Sequence, residues 1–104
     1  MASEQATIES YRQQLIAMAR RYKRYPRVAL DNNWEGRAVV RLIVDASGGI
    51  ESLQVVKGTG HAPLDRQALD MLRQAKNAVV VPDALRGRPF TLEIPIVFEL
   101  KDAG

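Results

Sequence analysis

The 104-residue chain has no cysteine, one histidine and no long apolar run, and each shortage removes a class of function. Without thiols there are no disulfides, thiolate metal sites or cysteine nucleophiles. Any triad-type catalytic site would have to be built around His61, which lies in "GTGHAP", a loop before a helix, where a helix-entry or hydrogen-bonding role accounts for it. Metal binding needs several convergent His, Cys or carboxylate ligands, and one histidine with scattered acids offers no evident set. No segment approaches the ~18 apolar residues that span a bilayer, and "MASEQATIES" lacks the charged-then-apolar order of a secretory signal. The expectation is a soluble non-enzyme with no metal and no cofactor. At 46% hydrophobic content it is large enough for one core and too short for two domains.

Acidic residues are also missing from one long stretch. Between Ser10 and Leu30 there are six cations (Arg12, Arg20, Arg21, Lys23, Arg24, Arg27) and no Asp or Glu, which leaves nine cations against twelve acids elsewhere. A basic N-terminal stretch is thus attached to a mildly acidic body. Tyr22 and Tyr25 among these cations give the mixture that binds single-stranded nucleic acid. Tyr22, however, belongs to an apolar helix stripe, and a solvated face explains most such stretches. We therefore expect no nucleic-acid partner. A basic surface for lipid headgroups or a cell-wall polymer such as peptidoglycan stays open as an alternative.

Periodicity supplies the elements. Ile8, Tyr11, Leu15, Met18 and Tyr22 recur at steps of 3, 4, 3 and 4, one stripe of an amphipathic helix over about Thr7 to Tyr22, stopped by Tyr25-Pro26. "RVALDNNWEG" (27 to 36) reads as a connector. "RAVVRLIVD" (37 to 45) reads as a largely buried strand, with Ala38, Val40, Leu42 and Val44 on one face. "ASGG" (46 to 49) makes a hairpin turn into the returning strand "IESLQVV" (50 to 56). A second helix runs from near Pro63 to near Asn77, with Leu64, Ala68, Leu72 and Ala75 buried and Leu69 and Met71 widening the stripe. After the irregular bridge "VVVPDALRGRP" (79 to 89), Phe90, Leu92, Ile94, Ile96, Phe98 and Leu100 alternate on one face of the final strand.

The order helix, strand, strand, helix, strand predicts a two-layer α+β sandwich of topology α-β-β-α-β. A hairpin makes the first two strands antiparallel, and a right-handed helical crossover returns the third parallel to the second. The third strand then lies beside the first, giving a three-stranded antiparallel sheet of order 2-1-3 packed against two helices. Residues 1–6 and 102–104 are expected to be disordered around a domain at 7–101.

"TLEIPIVFEL" (91 to 100) carries a proline in mid-strand. Proline has no N–H for a ladder, so Pro95 marks either an open edge or a bulge. An open edge presents unpaired backbone groups. Proteins usually blunt such an edge, and Pro95, Glu93 and Glu99 would serve that purpose, but an edge can also accept a partner peptide as an added strand. Other motifs carry less. "GTG" (58 to 60) lacks the third glycine of a phosphate-binding fingerprint, Pro63 standing in its place. Asp65 and Asp70 are five apart on a helix and do not face each other.

Four motifs in order, "RYP" (24 to 26), "WEGRAVVRLIVDASGGI" (34 to 50), "VVKGTGHAPLDRQALDML" (55 to 72) and "IPIVFEL" (94 to 100), resemble the C-terminal domain of TonB-type energy transducers over about residues 8 to 100. The chain departs from that pattern at "AVVVPD" (78 to 83), where the family favours an aromatic before the proline. It departs again at "KGTG" (57 to 60), where a serine-rich turn is common. The resemblance implies the periplasmic part of a longer protein, anchored in the inner membrane of a Gram-negative cell by an N-terminal helix that meets ExbB/ExbD. Its partner would be the TonB box of outer-membrane TonB-dependent transporters, and the work passed on would serve import of siderophores, haem or cobalamin. The residues implied in partner binding are Tyr25, Pro26 and Arg27, then Thr91, Leu92, Glu93, Ile94, Pro95, Ile96, Val97 and Phe98. A TolA-like adaptor has the same architecture without the transporter peptide. A homodimer formed by exchange of the last strand is left open.

Overall fold

The structure is a computed structural model that describes residues 2–102, with side chains from 6 to 101. Helix α1 spans Ala2–Arg21 and a short helix α2 spans Arg27–Asp31. Strands β1 (Gly36–Val44) and β2 (Ile50–Lys57) form the hairpin, α3 (Ala62–Ala78) crosses over, and β3 (Phe90–Phe98) closes the sheet. The sheet order is β2-β1-β3, with both outer strands antiparallel to β1. The two-layer α+β fold expected from the sequence is the one observed.

The period-two positions Ala38, Val40, Leu42 and Val44 are all fully buried, as are Ile94 and, almost entirely, Leu92, Ile96 and Phe98. They meet Leu64, Ala68, Met71, Leu72 and Ala75 of α3, together with Tyr11, Leu15 and Ala19 of α1. Ile8 and Met18 complete the α1 stripe as partly buried residues. The opposite face of the sheet has no helix and carries Arg37, Arg41, Glu93 and Val97. This is the one-sided burial that alternating strands permit.

Three local features differ from the sequence reading, the first being that β3 ends at Phe98 and Leu100, read as its last residue, begins a 3-10 turn, Leu100–Asp102. The connector after Pro26 contains α2, one turn and a half whose Ala29 is buried. It begins with Ala29 and Leu30 N–H groups donating to the Pro26 carbonyl and ends at Asn32 and Asn33, the latter at φ 57°. Five residues are too few to display a helical period. The bridge before β3 contains a single 3-10 turn, Asp83–Leu85, that buries Leu85. The expectation of disordered ends at 1–6 and 102–104 falls partly on residues outside those described.

Turn chemistry fixes both ends of the hairpin. The Asp45 carboxylate accepts from Ser47 N and Gly49 N (each 2.9 Å) and from Ser47 Oγ (2.7 Å), while Gly48 takes φ +94°. At the far end, a Cβ on Gly36 would come within 2.8 Å of the Thr59 Cβ, so only glycine lets β1 start beneath that loop.

Candidate functional site

The expected site residues fall into two sets. Leu92, Ile94, Ile96 and Phe98 send their side chains into the core, and Thr91, Glu93 and Val97 are exposed with Pro95 half-buried between them. The β1–β3 ladder pairs all nine residues of β3, from Gly36↔Phe98 to Val44↔Phe90, without a register shift. No bulge exists at Pro95. Backbone groups of alternate residues point to alternate sides of a strand, and the Glu93 and Val97 carbonyls both accept from groups outside the sheet. Pro95 lies between them in the same phase, so its missing N–H faces the open edge. The ladder with β1 loses nothing by it.

That edge is lined by α1. Arg12 Nε donates to the Glu93 carbonyl at 3.0 Å, and Lys23 Nζ donates to the Val97 carbonyl at 2.5 Å. The helix therefore runs alongside β3 in the same direction. It is tied at its middle by Tyr11, whose ring meets Phe90 edge-on at 6.0 Å, and just past its last residue by the Lys23 ammonium 5.8 Å from the Phe98 ring. Burial pushes the Tyr11 phenol up to about 12. Between the two tethers lies a recess of about 100 Å³, floored by Ile16, Ala19, Met71 and Ile96, with Pro95 at its edge. Arg20 and Lys23 stand at its mouth.

Arg12 is further held by Glu9, whose Oε1 lies 3.2 Å from Nη1. A hydrogen bond from Gln13, reinforced by Arg12, holds the Glu9 carboxyl below its ordinary range. On the uncovered sheet face, Arg41 of β1 makes a two-pronged contact with Glu93 Oε2, at 2.7 Å from Nη2 and 3.2 Å from Nε, directly across the strands.

Tyr25 and Pro26 join this region at the end of β3. The Tyr25 ring packs edge-on against Phe98 at 5.8 Å, and its hydroxyl donates to the Trp34 carbonyl, fixing the chain between α1 and α2. Arg27 stands apart on exposed α2, paired with Asp31 at 3.4 Å. His61 lies flat on Trp34, ring centroids 4.4 Å apart. The "GTG" loop is closed by Asp65, whose Oδ1 accepts from Thr59 N and Oγ1, each at 2.8 Å. Among the described residues no three His, Cys, Asp or Glu converge as a metal site would require, and no helix is long and apolar enough to cross a membrane.

The family model described as "Gram-negative bacterial TonB protein C-terminal" matches residues 21–100. The chain belongs to the TonB C-terminal family. It is similar to Protein TonB of Pseudomonas putida, at 31% identity over 96% of this chain and 42% of that protein. It is also similar to Protein TonB of Haemophilus influenzae, at 28% identity over 95% of this chain and 36% of that protein. It thus spans less than half the length of these curated relatives. Among solved structures it resembles the TonB C-terminal domain of Helicobacter pylori (residues 194–285 of that protein), with a TM-score of 0.69 and 25% identity over 88% of this chain and 95% of that one. In this TonB C-terminal domain, most of α1 precedes the residues that the family model matches. What the sequence alone missed is the pair Arg12 and Lys23. Their partners are 81 and 74 residues away, and no local pattern encodes such a contact.

Proposed function

We propose that this domain is the partner-capturing end of a TonB-type energy transducer and that it takes up the TonB box of an outer-membrane TonB-dependent transporter as an added strand on β3. The observation that carries the reading is the outer edge of β3. It is straight and in regular register with β1, its only proline turns its missing donor outward, and the contacts covering it are side chains, not another strand. An extended peptide can pair with such an edge through its backbone while neighbouring pockets select its side chains.

The edge also suits a mechanical role. Each backbone hydrogen bond contributes only about 0.5–1.5 kcal/mol net, but several loaded together along one strand resist a pull jointly. Affinity can then be modest while the link still carries force. Strand β3 is itself anchored, since its four core-facing side chains are buried against both long helices. In the whole protein the domain would work in the periplasm, joined through an inner-membrane anchor to ExbB/ExbD, and the work delivered would drive import of siderophores, haem or cobalamin.

The test is an NMR titration of the labelled domain with TonB-box peptides from transporters of its source organism. Amide shifts concentrated on residues 91–97, with smaller ones near Tyr25, are expected. Absence of shifts on β3 at millimolar peptide, together with no capture of the intact transporter, overturns the reading.

A further inference from the structure

Resting on the strand-addition reading, we propose that the side chains of Arg12 on α1 and Lys23 just beyond it are a removable cover for the β3 edge, and that these two cations make the site selective for an extended segment bearing acidic side chains. The argument starts from a competition. The Glu93 and Val97 carbonyls that an incoming strand must use are the ones already taken by Arg12 Nε and Lys23 Nζ. A backbone N–H has to replace each of these donors before pairing is complete. Both contacts are solvent-exposed, and exposed contacts between charged and polar groups are weak enough to exchange readily.

Release leaves two cations held beside the newly added strand, with Arg20 between them at the mouth of the recess. Three positive side chains along one edge favour a negative occupant and penalise a positive one. The spacing narrows the occupant further. Glu93 and Val97 are four residues apart, about 13 Å along a strand, so residues four apart on the added strand fall opposite the two cations. Partners across a ladder share a face, so added residues paired with Glu93 and Val97 point to the uncovered side, while those paired with Leu92, Ile94 and Ile96 face α1, the last of them beside the recess lined by Ile16, Ala19 and Met71. An incoming segment of the order acidic, any, apolar, any, acidic can turn both acids to the α1 side, where Arg12, Arg20 and Lys23 stand.

The same cover accounts for an otherwise exposed edge. Glu9 holds Arg12 in place and so keeps the cover down until an acid on the partner takes over.

The experiment titrates the 15N-labelled domain with two synthetic peptides, Ac-TETLTET-NH2 and its uncharged counterpart Ac-TQTLTQT-NH2. It follows the β3 amides together with the Arg12 Nε–H resonance. The same titrations are run on the double variant R12M/K23M, which keeps both aliphatic stems, and its amide dispersion reports on folding. The acidic peptide is expected to bind the unaltered domain about threefold to tenfold more tightly than the uncharged one, the range two exposed charge pairs support. The Arg12 Nε–H resonance should move with the β3 amides. In the double variant the discrimination should shrink to the part that Arg20 supplies, and the uncharged peptide should bind more tightly than to the unaltered domain. If β3 amides shift but both peptides bind the unaltered domain equally, or Arg12 Nε–H stays still, the cover proposal is overturned and strand addition stands. If neither peptide moves β3 amides in either protein, strand addition fails and the cover proposal fails with it.

Discussion

Strands β2 and β3 flank the same central strand, yet they are held in opposite ways. Every residue of β3 pairs with β1 in unbroken register, and its core-facing side chains are buried. The register of β2 shifts twice against β1, at Val39/Val40 and at Ile43/Val44, and none of its side chains is fully buried. Both leave an outer edge, and each edge needs protection against unwanted pairing. On β2 the protection is built into the strand, through irregular pairing and the exposed charges of Glu51 and Lys57. On β3 it is lent by Arg12 of α1, by Lys23 just beyond that helix, and by Pro95. The strand whose guard we propose to be removable is also the strand anchored in the core. A docking edge that must carry load needs that combination, because the partner's pull has to pass through the core without peeling the edge away.

The largest contrast should be in stability. Ile94→Ala empties a fully buried site and is expected to cost ~2–5 kcal/mol in urea unfolding. Val55→Ala on half-buried β2 should cost about 1 kcal/mol. Equal costs would remove the distinction between an anchored and a loosely held outer strand. Next comes the edge itself. Val97→Pro deletes a second outward donor without touching the β1 ladder. TonB-box peptide affinity should fall about threefold to tenfold, one hydrogen bond's worth, with the unfolding midpoint nearly unchanged. A large loss of stability would mean that the Val97 N–H faces β1. Pro95→Ala runs the other way, restoring a donor to the open edge. The variant should fold and bind peptide about threefold more tightly, and its failure to fold would sink the edge assignment.

Much of this comparison was legible in the sequence. The 3.6 and 2.0 periods located α1, α3, β1 and β3, and the hairpin and crossover rules placed β3 beside β1 before any coordinates. The choice at Pro95 between edge and bulge stayed open because a missing N–H reads the same in either setting. Only the unshifted ladder decides it. Helix α2 was hidden by its shortness, and Ala19 by a side chain too small to stand out in a stripe. The site was half legible. Thr91 to Phe98 were expected as one binding strand, but which residues offer backbone and which side chains go inward follows from the phase that Glu93 and Val97 reveal. Tyr25 was expected among the partner-binding residues, and its ring packs against Phe98 at the end of β3. The Arg12 and Lys23 tethers were invisible, since charge composition marks the stretch as basic without saying what the cations reach.

The smallest effect distinguishes the two outer strands by pH. Asp45 opens the turn into β2, and the hydrogen bonds it accepts, first from the Ser47 hydroxyl and then from the Gly49 N–H, hold its carboxyl below the usual range. A carboxyl depressed on folding stabilises the native state above its unfolded pKa, and that contribution disappears as pH falls through the folded value. Asp45→Asn should therefore lower the melting temperature at pH 7, while at a pH below the folded pKa the unaltered domain and the variant should converge. The turn also holds the bridge into β3, through the Gly87 N–H donated to the Ala46 carbonyl, so the start of β3 should loosen with β2, while the Leu92 to Phe98 amides paired with β1 should keep their hydrogen-exchange protection in the variant at pH 7. Loss of protection on those amides together with β2 would mean that the two edges open as one unit, and the guard on β3 would then depend on the hairpin instead of α1.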